Sequence, residues 1–75
     1  MINTIVNYLI KTTIEETTEG NWIFEIKNLE KMFNFTFTNE DIRNIIDELL
    51  RNEKVADVQI YNNTIDILIY YKYIE

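Results

Sequence analysis

The sequence has 75 residues, 47% of them hydrophobic, with no Cys and a formal net charge of −6. That length holds one core and no second domain, because chains of ~60 residues already bury only about 60% of the surface they expose when unfolded. The missing Cys excludes disulfide scaffolds and thiolate metal sites, and the acidic balance opposes non-specific attraction to phosphate backbones and anionic membranes.

Ile2, Ile5, Val6, Leu9, Ile10 and Ile14 recur at steps of three and four, which predicts a first helix from about 3 to 17 with Asn3, Thr4, Asn7, Lys11, Glu15 and Glu16 on its polar face. The polar interruptions make this segment neither a signal peptide nor a membrane span, so a cytoplasmic setting is expected. A Thr-rich stretch then leads to Gly20, the only residue there that takes a left-handed helix cap without strain. Trp22, Phe24 and Ile26 alternate with Ile23 and Glu25, the period of a short strand. Asn28 is the expected cap of a short second helix whose Leu29, Met32 and Phe33 share a face and which stops near Asn34.

Thr38 with Asp41 three residues on, and Phe37 placed to staple onto Ile42, mark the start of a third helix. Its apolar face is Ile42, Ile45, Ile46, Leu49 and Leu50, and it runs to about Asn52. Two strands follow around Asn62-Asn63, since Asn is the non-glycine residue that best accepts the positive φ of a two-residue hairpin turn. Pairing across that turn sets Ile60 opposite Ile65 and Val58 opposite Ile67 on one face. Gln59 then opposes Asp66, and Asp57 opposes Leu68, on the other. The last strand, read as longer than its partner and apolar on both faces, is expected at the centre, pairing on its far side with the segment around Trp22.

The predicted architecture is an α+β domain of three helices and a three-stranded antiparallel sheet ending in a β-hairpin. In element order and loop lengths over nearly the whole chain, it resembles the winged helix-turn-helix superfamily. The resemblance implies DNA binding, with the third helix in the major groove and the hairpin on the backbone. Carried onto this sequence, it makes Asn39, Arg43, Asn44 and Arg51 the candidate DNA contacts, with homodimers as the binding form. Such binding needs basic residues to neutralise phosphates. Yet Glu40, Asp41, Asp47 and Glu48 outnumber the two arginines of that helix, and Tyr61-Asn62-Asn63-Thr64 at the wing tip has none. Intrahelical pairing of Arg43 with Asp47, and of Arg51 with Asp47 or Glu48, is an equal account of the arginines.

His and Ser are absent along with Cys, so the usual general base and nucleophiles are missing and no enzyme activity is expected. Glu15-Glu16-Glu19 and Glu40-Asp41 read as solvated helix surface, and no metal, cofactor or small-molecule substrate is expected. If strand alternation continues to the end, Leu68, Tyr70 and Ile74 share the sheet face away from the helices, with Ile23 and Tyr61 beside them. These five are the candidate protein-interface residues, unless the first helix or the tail covers that face. The expected function is therefore a regulatory module that binds a protein partner or a second copy of itself. An acidic domain of this kind would occupy a basic nucleic-acid-binding surface, as phage and viral inhibitors and DNA mimics do. DNA binding by a homodimer through the third helix is the alternative.

Overall fold

In the computed structural model, which describes residues 1–74, the turn at Asn62-Asn63 has φ of 49° and 59°, the left-handed pair that a two-residue hairpin requires. It joins β2 (Val55–Tyr61) to β3 (Thr64–Ile69). Ile60 faces Ile65, Val58 faces Ile67, Gln59 faces Asp66 and Asp57 faces Leu68, as the sequence pattern requires. β1 (Asn21–Glu25) pairs antiparallel with the other side of β3, giving the strand order β1-β3-β2. The central position expected for the last strand holds, but not its length, since β3 has 6 residues against 7 in β2. The extra residue is a bulge between Val55 and Asp57, which leaves Ala56 without a partner in the ladder.

Helix α1 (Ile2–Glu16) lies over the inner face of the sheet, with Ile5, Val6, Leu9 and Ile10 buried. Buried Thr13 returns its hydroxyl to the Leu9 carbonyl at 2.7 Å. Gly20 does not cap this helix. The C-cap is Thr17 in extended conformation, and Gly20, at φ 103°, turns the chain into β1 three residues later.

Helix α2 (Ile26–Phe33) starts earlier than expected, with Glu25 and not Asn28 as its N-cap. The Ile26 N–H donates to Asn63 O at 2.9 Å, a last rung of the sheet made by the first residue of the helix. Asn28 sits within the first turn, its amide 3.4 Å from the Glu25 carboxylate. The inward face is Ile26, Leu29 and Phe33, while Met32 is exposed. Asn34 ends the helix at φ 49°.

Helix α3 (Asn39–Arg51) carries the expected capping box. Asp41 N–H donates to Thr38 Oγ1 at 3.1 Å, and Thr38 N–H donates to the Asp41 carboxylate at 3.0 Å. Phe37 packs against Phe35, with ring centroids 5.3 Å apart, and against the core, which Ile42 also borders. Ile45 and Leu49 are fully buried, whereas Leu50, assigned by periodicity to the core face, is exposed. Thr38→Ala is expected to lower stability by about 1 kcal/mol through loss of the cap. A chemical-denaturation midpoint that does not move would rule out this start for α3.

The element order is thus helix, strand, helix, helix, strand, strand, followed by a single 3-10 turn at Tyr71–Tyr73. The molecule is an α+β domain with its core between the helices and one face of the sheet, a layout compatible with winged-helix topology. Among the described residues, no helix is long and apolar enough to cross a membrane.

Candidate functional site

On α3, Asn39, Glu40, Arg43, Asn44, Asp47 and Arg51 are exposed, so all four candidate DNA contacts reach solvent. Arg51 is held by Glu48 of its own helix, Nη1 to Oε1 2.6 Å. Such a solvent-exposed pair contributes only about 0.3–0.5 kcal/mol, but it occupies the guanidinium. The pairing of Arg43 with Asp47 does not form, and Arg43 has no carboxylate within ion-pair distance among the described residues. The wing tip is Tyr61, Asn62, Asn63 and Thr64, with the Thr64 hydroxyl donating to the Tyr61 carbonyl, and it offers no positive charge to a phosphate.

The other face of interest is the side of the sheet that the helices leave open. Alternation and register place its residues in three cross-strand rows. Asn21, Leu68 and Asp57 form one; Ile23, Asp66 and Gln59 the next; Glu25, Thr64 and Tyr61 the last. Asp66, half-buried in the middle, accepts from the Asn21 amide at 3.1 Å. A shallow depression of about 180 Å³ lies between Asn21, Asp57, Gln59, Asp66 and Leu68.

Three carboxylates therefore stand on this face, and none of the three strands contains a Lys or Arg. Between them Ile23 is 56% and Leu68 41% exposed, with exposed Tyr61 at one end. Tyr70, also exposed, follows β3 directly, its N–H donating to Lys54 O at 3.0 Å.

The structure so brings together Ile23, Leu68 and Tyr61, sets Tyr70 just beyond them, and removes Ile74. The strand ends at Ile69, and the 3-10 turn breaks the period of two. Ile74 comes back to the helix side, where it is half-buried against the core beside Tyr73. Among the described residues, neither α1 nor the tail covers the outer face, since Ile23, Leu68 and Tyr61 stay exposed. The apolar side chains there do not form one continuous patch, because Asp66 and Asn21 interrupt them. Glu25, Asp57 and Asp66 were not singled out by sequence reasoning as site residues, although the lack of any basic residue in the strands signals them.

Among the described residues no cluster of three or more metal-ligating side chains occurs, and no buried side-chain polar atom lacks a hydrogen-bond partner. No known protein family, curated protein or solved structure matches this chain.

Proposed function

We propose that the chain is a small, non-catalytic, winged-helix-like regulatory module that binds a basic protein surface with the outer face of its sheet. The observation that carries this reading is the pattern on that face: Glu25, Asp57 and Asp66 with no basic residue, set among Ile23, Leu68 and Tyr61. Exposed apolar and aromatic side chains supply buried contact area to an interface. The carboxylates steer an oppositely charged partner and reject acidic ones. Nucleic-acid-binding proteins present such basic surfaces, and a domain of net charge −6 that occupied one would act as an inhibitor or a DNA mimic.

One observation favours a second reading, DNA binding by a homodimer through α3: among the described residues Arg43 has no ion-pair partner, and Asn44 beside it is exposed. Arg and Asn are the side chains that read guanine and adenine. Glu40, Asp47 and the occupied Arg51 work against it, as does the bare wing, because each phosphate contact must first overcome this field.

The two readings separate in a binding assay at about 0.1 M salt, where surface charge is still felt over ~10 Å. The probes are a panel of purified basic DNA-binding domains and, in parallel, double-stranded DNA fragments. Binding to a basic domain is expected, weakened at least about tenfold by Asp57→Lys with Asp66→Lys and further by added salt. DNA should not be retained. Failure to bind any domain, or DNA binding that disappears with Arg43→Ala, would overturn the proposal.

A further inference from the structure

The two edges of the sheet are not alike. Ile69 N–H donates to Gly20 O at 2.8 Å and Ile26 N–H to Asn63 O at 2.9 Å, so the even-numbered residues of β1 face β3. The main-chain groups of Asn21, Ile23 and Glu25 consequently point to the open edge. The Asn21 carbonyl takes the Thr17 hydroxyl at 2.8 Å, and Glu25 is the N-cap of α2. Among the described residues, the N–H groups of all three and the Ile23 carbonyl have no hydrogen-bond partner and remain free for one.

On the opposite edge, β2 is closed by two devices that natural sheets use against unwanted pairing. It has the bulge at Ala56, and the Asp57 carboxylate takes the outward Val58 N–H at 2.9 Å. β1 has no bulge, no Pro and no Lys, and next to it lies a groove of about 220 Å³ lined in part by Tyr8, Thr12, Trp22 and Met32. Trp22 and Met32 are 38% and 56% exposed there.

We infer that the open edge of β1 is a self-association surface, on which a second copy pairs antiparallel about a two-fold axis at Ile23 to give a six-stranded sheet. The occupant is a second copy because this strand is its own complement. In that register Ile23 exchanges both main-chain bonds with its counterpart. Trp22 of each copy lies opposite Phe24 of the other on the helix side, joining the two grooves. Glu25, the only charge on the strand, meets the Asn21 amide. The two Glu25 side chains stand four residues apart along the ladder, roughly 13 Å, beyond the ~8 Å screening length at physiological salt. β2 offers no equal solution, since the bulge at Ala56 disrupts its edge and the Val58 N–H is spent on Asp57. This inference does not rest on the proposed partner, although the dimer would set two acidic outer faces side by side.

The test uses the full chain. Trp22 is the only tryptophan, so its emission follows burial of this edge while light scattering gives the mass. A dimer is expected at concentrations up to about 100 μM, with emission shifting to the blue as it forms. Ile23→Pro removes an outward donor without touching the ladder to β3, and it should weaken self-association at least about tenfold. Ile23→Lys, which charges the edge and leaves the backbone alone, should do the same and guards against misfolding of the proline variant. Asp57→Asn, which keeps an oxygen for the Val58 N–H and removes the charge, should leave the dimer intact while impairing capture of a basic domain. A wild-type chain that stays monomeric over this range, including one that pairs only with added extended peptides, overturns the inference. So does a dimer that folded Ile23→Lys does not weaken.

Discussion

Ile67→Ala is expected to destabilise the domain by about 3 kcal/mol, lowering its melting temperature by roughly 12–24 °C at 4–8 °C per kcal/mol for a chain this size. Ile67 is fully buried at the middle of the central strand, opposite Trp22 on one side and Val58 on the other, under α1. Its neighbours are fixed by two ladders and a helix, so they cannot collapse into the space that three lost carbons leave, and the cavity adds to the lost transfer energy. A domain of this length has only about 4–11 kcal/mol of stability in all, so the loss is a large part of it. Leu68→Ala, one residue along and 41% exposed, should cost less than about 1 kcal/mol. Equal losses at the two positions in guanidinium unfolding would mean that the outer face is covered after all, and the candidate binding surface would go with it.

That contrast rests on alternation, the signal that the sequence carries most clearly. The hairpin register was legible because two independent requirements agree. Two adjacent asparagines accept positive φ, and only one pairing across them puts Ile60, Ile65, Val58 and Ile67 on a single face. The start of α3 was legible because a capping box is local, needing only Thr38 and Asp41. Where tertiary contacts decide, the pattern misled. Ile26 continues the alternation of Trp22 and Phe24, yet it is already helical, because its N–H closes the sheet on Asn63 while its side chain enters the core.

Met32 and Leu50 have the spacing of core residues, but a core this small buries only a narrow stripe of each helix. For the same reason the inward side chains at the sheet edges, Trp22 and Ile60, stay 38% and 42% exposed while Ile65 between Phe24 and Ile60 is fully buried. Of the candidate site, Ile23, Leu68 and Tyr61 follow from period two, and Ile74 was lost to a turn that no periodicity announces. The acidic character of the face was hidden by its origin. Glu25, Asp57 and Asp66 come from three strands, and only the order β1-β3-β2 makes them neighbours.

Gly20→Ala is expected to cost about 2 kcal/mol through backbone conformation alone. Gly20 holds φ 103°, outside even the left-handed helical well, where any Cβ is strained. A Cβ built there would meet Leu68 Cδ1 at 3.5 Å, Ile69 O at 3.7 Å and Tyr71 Cε1 at 3.8 Å, ordinary van der Waals distances, so steric clash adds little. The conformation cannot relax cheaply, because both main-chain groups of Gly20 are engaged. Its N–H donates to Thr17 Oγ1 at 2.8 Å, and its carbonyl accepts from Ile69 at 2.8 Å. Thr17 in turn donates to the Asn21 carbonyl, so the whole turn from α1 into β1 hangs on one hydroxyl and one glycine.

Escaping the strained φ would break the first rung between β1 and β3 and leave a buried N–H without an acceptor, a loss of about 1–3 kcal/mol by itself. Either route is costly, and chemical denaturation should register it. Thr17→Val removes the acceptor with little change of shape and should fall in the same range. Because the two changes disable one turn, the double variant should lose less than the sum of the singles. A neutral Gly20→Ala would mean that the turn takes another path. Asn21 would then no longer be held beside Leu68 and Asp66, and the outer face would be a different surface.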